Sequence, residues 1–253
     1  MFSTELLDIH LNKEFFGSKI NYQSETNSTN IEAWNHIDYG CEEGAIFITD
    51  NQKKGRGRRQ NKWVSTPDKS LTASFILYPK IALDKLGLLP ILTGVNIVHG
   101  IKSSTSIQTG LKWPNDIMLN EKKLGGILIE SRTTQNGLQV VVGIGLNINE
   151  TTHDIPNFLK DQATSLLIYS GASYSREKIL SAVLNKFEQF YVQQWDSIIP
   201  IWREYCIHRD SKITFHTVRG LHQGVFQGIS SLGHAEIQIN GATQTFPSGL
   251  VIL

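Results

Sequence analysis

The chain has few cysteines and no metal-binding pattern, and each shortage excludes a class of site. Its 253 residues include two cysteines, Cys41 and Cys206, without C-x-x-C spacing. A disulfide framework or a zinc site is therefore not expected, and a reducing cytoplasm is the simplest interpretation. The eight histidines show neither H-E-x-x-H nor H-x-x-x-H spacing. We therefore expect no protein-bound catalytic metal.

The chain also lacks the patterns of covalent catalysis and of membrane insertion. It contains no Gly-x-Ser-x-Gly segment, and neither cysteine has an evident base beside it in sequence. Covalent catalysis by a protein nucleophile is therefore disfavoured. The N-terminus has no basic segment followed by an apolar one, and no apolar run approaches the ~18 residues that span a bilayer. We expect a cytoplasmic protein without a membrane segment.

The formal net charge of the chain is only +1. This near-neutral balance argues against a protein that coats nucleic acid. Residues 51–63 nevertheless contain six cations and no acid: Lys53, Lys54, Arg56, Arg58, Arg59 and Lys62. Gly55 and Gly57 allow tight turns there, so this basic loop is a candidate cradle for anions. It matches neither a Rossmann nor a Walker A pattern, and a solvated loop or a nucleic-acid arm stays open as an alternative.

Hydrophobic periodicity predicts an α+β protein in two parts. Helices are predicted over residues 29–39, 85–103, 176–195 and about 199–206. Strands are predicted over residues 44–50, 70–78, 108–113, 116–119, 124–131 and 138–147. Beyond residue 210, short alternating segments predict a small β-module in the form of a compact barrel, with strands at 212–218, 224–228, 235–239 and 243–246. We expect domains at 1–207 and 208–253, with a mixed or antiparallel sheet in the first.

Four further segments combine polar and glycine residues near predicted strand or helix ends. Ser28-Thr29-Asn30 begins a helix, and Thr29-x-x-Glu32 fits a capping box, although cap hydroxyls can also bind a polar ligand. Lys112-Trp-Pro-Asn-Asp116 lies between two strands, as either an ordinary strand end or a lysine held in a cleft. The glycines of Lys123–Glu130 and Gly143–Asn147 indicate close approach, either by a ligand or by another strand.

Taken together and in this order, these segments resemble the biotin–protein ligases. The resemblance rests on Ser28-Thr29-Asn30, Gln52, Gly55-Arg-Gly57-Arg58 with Trp63, and the Lys112, Lys123 and Gly143 segments. It spans residues 20–150, and the later helix and terminal β-module fit the family's layout more weakly. It implies a catalytic domain like the class II synthetases, with a mixed sheet flanked by helices, and a C-terminal SH3-like barrel.

The resemblance also implies a two-step reaction with biotin and ATP as substrates and Mg²⁺ accompanying ATP. Biotin becomes biotinyl-5′-AMP and is then transferred to one lysine of a biotin carboxyl carrier protein. The family pattern assigns catalytic roles to Lys112, Arg56 and Arg58. It assigns biotin binding to Ser28, Thr29, Asn30, Gln52, Arg56, Gly57, Arg58, Lys112 and Gly126. It assigns nucleotide binding to Trp63, Asn115 and Asn147, and no residue to a metal.

This sequence departs from the family pattern in two places. Gln60 and Asn61 stand where the family loop often has Gly-Arg, which removes one cation from the part of the loop that retains the adenylate. About 25 residues precede Ser28, too few for the helix-turn-helix domain of repressor-type members, so we expect no DNA binding. A lipoate or octanoate ligase of related fold and a non-catalytic nucleic-acid or nucleotide module are the alternatives. A monomer and a homodimer are both compatible with the family.

Overall fold

The structure is a computed structural model that describes residues 1–191, 195–217 and 220–252. In order, the first part contains α1 (Thr4–His10), β1 (Ile20–Thr26), α2 (Thr29–Asp38), β2 (Ile46–Gln52), β3 (Ser70–Leu77), α3 (Leu88–Thr105), β4 (Gly110–Lys112), β5 (Asp116–Leu119), β6 (Lys122–Thr134), β7 (Gly137–Asn147), α4 (Leu166–Ser170), α5 (Arg176–Tyr191) and α6 (Ile198–Tyr205). The second part contains β8 (Ser211–Thr217), β9 (Gly220–Ile229), β10 (Ala235–Ile239), β11 (Ala242–Phe246) and β12 (Leu250–Ile252).

Within these described ranges the first part is built on a seven-stranded mixed sheet of order β1-β2-β3-β7-β6-β5-β4. The β1–β2 pair is parallel and the other neighbours are antiparallel. Short turns join the consecutive antiparallel strands β4, β5, β6 and β7, whereas β1 and β2 are joined through helix α2, which allows a parallel arrangement. The predicted mixed α+β sheet flanked by helices is confirmed.

The two faces of the sheet have different partners, because successive side chains of a strand point to opposite sides. On one face, residues such as Phe75 and Val142 join the main core with helices α3 and α5. On the other, Ile76 and Val141 pack under helix α2. Further along the α2 face of β3 and β7 the side chains become small or polar. That change leaves room above the sheet next to the N-terminus of α2.

Helix α3 is the central helix of the main core. It begins at Leu88 after a 3₁₀ turn at Leu83–Gly87, so Pro90 lies in its first turn, where a missing N–H removes no helical hydrogen bond. The helix predicted over residues 85–103 therefore begins three residues later, at Leu88. The segment Leu83–Thr105 is long and apolar enough to cross a membrane, but 67% of its apolar 18-residue window is buried inside the fold. Core packing accounts for its apolar character.

In the part of the chain that the structure describes, β8–β12 form a second, antiparallel sheet of order β11-β10-β9-β8-β12. The rings of Phe215 on β8 and Phe246 on β11 meet with centroids 4.8 Å apart, so this sheet curls onto itself. His208 is buried at its junction with the first part, 4.2 Å from the Phe226 ring. Burial lowers the pKa of His208 to about 4. The domain boundary at 207/208 stays a prediction.

Several sequence-based expectations were incomplete or wrong in detail. Helices α1 and α4 and strands β1 and β12 were not predicted, and β2 begins two residues later than expected. The predicted helix 176–195 is present as α5 over Arg176–Tyr191, and residues 192–194 and Val218 lie outside the described residues. The capping box is wrong. The N-cap is Ser28, the Thr29 hydroxyl bonds the Ser74 hydroxyl, and the Glu32 carboxylate accepts from Thr26.

Candidate functional site

A cleft of about 960 Å³ of empty volume opens on the α2 face of the large sheet. Among its lining residues are all the predicted site residues but one: Ser28, Thr29, Asn30, Gln52, Arg56, Gly57, Arg58, Trp63, Lys112, Asn115 and Gly126. They come from α2, the basic loop, β4–β6 and the turns between them. The fold therefore brings together segments that are far apart in sequence, while their individual roles stay predictions.

The N-terminus of α2 forms a buried polar wall of the cleft. The Ser74 hydroxyl lies 2.6 Å from the Thr29 hydroxyl and donates to Asn30 Oδ1 at 2.7 Å. The Thr29 backbone N–H donates to Gln52 Oε1 at 2.9 Å, which ties α2 to the start of the basic loop. Ser28 caps the helix without a side-chain capping bond, so its hydroxyl is not committed to the helix. This wall offers neutral donors and acceptors to a ligand.

The basic loop folds back on itself and is fastened to the body of the protein. The backbone N–H of Trp63 donates to the Gly55 carbonyl. A Cβ added at Gly55 would lie 2.4 Å from the Trp63 carbonyl oxygen, so only glycine fits there. Arg58 Nη1 donates to Asn115 Oδ1 at 3.1 Å. Arg59 Nη2 donates to the His216 carbonyl of the second sheet at 3.2 Å. Contacts with two parts of the fold thus hold the loop over the cleft.

The departure from the family pattern at residues 60–61 falls within this loop. The Asn61 carbonyl accepts from the Gly57 N–H at 2.7 Å, and Asn61 lines the cleft. The side chain of Gln60 lies outside what the structure describes. Its effect on adenylate retention stays a prediction.

Two partly buried cations face the cleft from different elements, Arg58 from the basic loop and Lys112 from β4. Burial lowers the pKa of the Arg58 guanidinium, Arg59 adds to that effect, and Asp116 opposes it. Burial likewise lowers the pKa of the Lys112 ammonium; Asp116 opposes the shift and Lys123 adds to it. Because these cations are partly shielded from water, an anionic ligand would interact with them more strongly than it would with fully solvated cations.

Lys123 is a cleft residue that the sequence analysis did not assign. Its ammonium lies 2.6 Å from Asp116 Oδ1, and its side chain lines the cleft beside Gly126. The signal was available, because Lys123 opens the glycine-containing segment on which the resemblance partly rests. Nothing in that pattern separated it from an exposed strand lysine.

The indole of Trp63 packs against strand β7 at Gly145. A Cβ added at Gly145 would be 2.5 Å from Trp63 Cε2, so the absent side chain of Gly145 makes room for the indole. The indole Nε1 is buried without a hydrogen-bond partner among the described residues. The predicted contact between Trp63 and adenine stays a prediction.

Asn147 is the predicted site residue that the structure does not place in the cleft lining. Its Nδ2 donates to the Thr164 carbonyl at 2.9 Å, and the side chain is buried. The neighbouring backbone links Thr164 N–H to the Lys123 carbonyl and Lys123 N–H to the Gln162 carbonyl, at 3.0 and 2.7 Å. Asn147 therefore anchors the segment that lies beside Lys123.

Comparisons with known proteins agree with this arrangement. The sequence model of the "Biotin/lipoate A/B protein ligase family" matches residues 20–147. The chain is 34% identical to the "Bifunctional ligase/repressor BirA" of Bacillus spizizenii, over 88% of this chain and 70% of that protein. It is 26% identical to a "Biotin--[acetyl-CoA-carboxylase] ligase" of Mycobacterium tuberculosis, over 90% and 86%.

A solved structure is similar over most of the fold. It is described as the biotin protein ligase from Aquifex aeolicus in complex with biotin and ATP. The TM-score is 0.78 at 27% identity, and the match covers 93% of this chain and 98% of that one.

Proposed function

This chain belongs to the biotin/lipoate A/B protein ligase family, and from that premise we propose that it attaches biotin to a biotin carboxyl carrier protein in an ATP-dependent reaction. The observation that supports this function best is the division of the cleft. The neutral polar wall at the N-terminus of α2 suits an uncharged ureido group. Arg56, Arg58 and Lys112 suit a carboxylate and the phosphate that it attacks.

In the first half-reaction, a biotin carboxylate oxygen forms a bond to the α-phosphorus of ATP and pyrophosphate leaves. Both reactants are anions, and two unit charges 4 Å apart repel by about 4 kcal/mol at an effective dielectric near 20. That repulsion alone would slow the step by about three orders of magnitude. Arg56, Arg58 and Lys112 offset it by placing positive charge where the two anions meet.

In the second half-reaction, the neutral amine of an acceptor lysine attacks the carbonyl carbon of biotinyl-5′-AMP. An amide bond forms, the mixed anhydride bond breaks, AMP leaves, and the amine gives up a proton. The basic loop, fastened through Arg58 and Arg59, shields the anhydride from water until the acceptor arrives. Exclusion of water protects the intermediate from hydrolysis.

Mg²⁺ is expected to accompany ATP and to neutralise phosphate charge. Asp116 is a carboxylate at the cleft lining. Mg²⁺ in nucleotide sites is held by substrate phosphates, water and one or two carboxylates, so Asp116 fits as a ligand. Among the described residues there is no group of three His, Cys, Asp or Glu side chains that could hold a metal by itself.

The decisive experiment is biotin-dependent exchange of pyrophosphate into ATP by the purified chain. We expect exchange with biotin and none with lipoate, and a strong loss in Lys112→Ala. Exchange supported by lipoate alone would favour the related lipoate ligases, and no exchange at all would refute the proposal. Binding to polyanions that weakens steeply with salt and ignores biotin would instead favour a nucleic-acid module.

The carrier protein is proposed to be a subunit or domain of a biotin-dependent carboxylase, as the name of the mycobacterial relative indicates for that protein. We propose action in the cytoplasm, in keeping with two free cysteines in the described structure. The absence of DNA binding stays a prediction, and so does a monomeric or homodimeric state.

A further inference from the structure

Glu130 lies on strand β6, next to the residues of that strand that line the cleft. Its register partner is Val141, two positions from the pair Leu128–Gly143, whose members line the cleft. Glu130 itself is not among the lining residues. Its side chain is about a quarter exposed, at 27%. Any effect of Glu130 on a ligand must therefore pass through other residues.

Three donors from two different elements converge on this carboxylate. Asn30 Nδ2 donates to Oε2 at 2.8 Å and Trp34 Nε1 donates to Oε2 at 3.3 Å, both from α2. Arg56 Nη2, from the basic loop, lies 3.1 Å from Oε1 and 3.2 Å from Oε2. A carboxylate accepts several such bonds at once. Glu130 thus joins the basic loop to α2 through one side chain.

The α2 side of this junction is rigid. Asn30 is 3% exposed, and its Oδ1 also accepts from the Ser74 hydroxyl. Gly143 lies so close that an added Cβ would be 2.3 Å from Asn30 Oδ1. Because Asn30 is buried and bonded to Ser74, it holds the carboxylate in one position, and that position in turn fixes the Arg56 guanidinium.

The loop side of the junction depends on Glu130. Arg56 forms no other side-chain hydrogen bond or ion pair with the described residues within 4 Å. Without Glu130 the guanidinium would have only solvent or ligand to bind, and would lose the geometry that brings it to the cleft. Paired charges of opposite sign restrict a long side chain that would otherwise sample many rotamers.

We propose that Glu130 is a positioning residue that holds Arg56 at the cleft and orders the basic loop before any nucleotide binds. The proposal rests on the biotin ligase function given above, because it assigns Glu130 a role in biotin affinity. It predicts that loss of the Glu130 charge weakens biotin binding and raises KM for biotin more than it lowers kcat at saturating biotin. It also predicts a loop that opens more often in the free protein.

The test compares Glu130→Gln with the wild type and with a matched control, Asp38→Asn. The control breaks the exposed Arg132–Asp38 ion pair, which lies further along the same face of β6 and does not contact the basic loop. Biotin affinity is measured by calorimetry without ATP. Loop opening is measured as the rate of trypsin cleavage within residues 53–62 in the ligand-free protein, with sites mapped by mass spectrometry.

We expect biotin affinity about tenfold weaker in Glu130→Gln, the lower end for a charged hydrogen bond because the pair is partly exposed. Cleavage of the loop should be several-fold faster, while Asp38→Asn matches the wild type in both measurements. In an Arg56→Ala background, Glu130→Gln should weaken biotin binding by less than about twofold, since the residue through which it acts is already absent.

Wild-type values of affinity and cleavage rate in Glu130→Gln would overturn the proposal, and so would a full additional loss in the Arg56→Ala background. If Glu130→Gln folds poorly, Arg56→Ala takes its place in the cleavage measurement. Trypsin should then cut Arg56→Ala faster than the wild type at the remaining loop lysines and arginines, and cleavage no faster than in the wild type would overturn the proposal. A wild-type protein that fails to bind biotin refutes the proposed function instead. The cleavage comparison needs no ligand and still decides whether Glu130 holds the loop.

Discussion

The substitution Gly143→Ala adds a single methyl group at the most crowded glycine of the cleft. The new Cβ would lie 2.3 Å from Asn30 Oδ1 and 3.1 Å from its Cγ. Ordinary contacts between non-bonded heavy atoms are about 3.5–4.0 Å. Either the Asn30 side chain or strand β7 must move by about 1 Å. β7 is hydrogen-bonded on both sides, to β3 and β6, so we expect Asn30 to move.

The expected loss of stability follows from the buried hydrogen bonds that a displaced Asn30 side chain would break. Its amide bonds Glu130 and Ser74, and burial prevents water from replacing these partners. A buried polar group left unsatisfied costs about 1–3 kcal/mol, and overpacking costs about 1–3 kcal/mol more. The total is about 2–6 kcal/mol. At roughly 2–4 °C per kcal/mol for a chain of this size, Tm falls by at least about 4 °C.

Thermal and urea unfolding followed by circular dichroism measure this loss, and calorimetry measures biotin binding by the folded fraction. Gly126→Ala is the comparison variant for stability, because its nearest neighbour is the flexible Lys123 Cε at 3.4 Å. We expect it to cost less than about 1 kcal/mol. The double variant Gly143→Ala, Asn30→Ala should recover part of the loss, because the clash is removed. Equal Tm values for Gly143→Ala and Gly126→Ala would refute the reasoning.

Three other outcomes are expected. Lys112→Ala should slow pyrophosphate exchange by about 10²–10³-fold, whereas Lys112→Arg, which keeps the charge, should retain more activity. Burial raises the pKa of Glu150 to about 7, so folding holds a proton that the unfolded chain releases near 4.5, and stability falls as pH rises from about 4.5 to 7. Glu150→Gln should therefore be more stable than wild type at pH 8, by up to about 3 kcal/mol in urea unfolding, with no gain near pH 4.5. Asn147→Ala should speed amide hydrogen exchange at Thr164 and Lys123, and unchanged exchange there would contradict its anchoring role.

The central elements of the fold were predictable because their signals are local. The apolar runs of 116–119 and 138–147 and the turn residues beside them define strands without any knowledge of their neighbours, and β5 and β7 lie there. Strand β1 was missed because its burial pattern shows no alternation and its residues are mostly polar or exposed. Strand β12 has three residues, too few for a periodic pattern.

The cleft itself was predictable only as a set of segments. Order along the chain placed Gln52, Arg56 and Lys112 in one site, and the structure places all three in the cleft lining. The contacts that hold them were beyond sequence reasoning, because partners such as Arg56 and Glu130 are 74 positions apart. The same limit applies to Asn147, where no local pattern distinguishes an amide that binds a nucleotide from one that binds the Thr164 carbonyl.

The glycines of β7 show why a ligand cleft can exist in a strand that is also part of the core. On the α2 face, Val141 packs under the helix. Gly143 and Gly145 have no side chains there, which leaves room for the side chains of Asn30 and Trp63. On the opposite face, apolar side chains continue without interruption through the same positions: Val140, Val142, Ile144 and Leu146. Because that face keeps its full burial against the main core, the loss of packing at the two glycines is offset within the same strand. The sheet can therefore hold polar and cationic groups at fixed positions on one face without loosening the strands that position them.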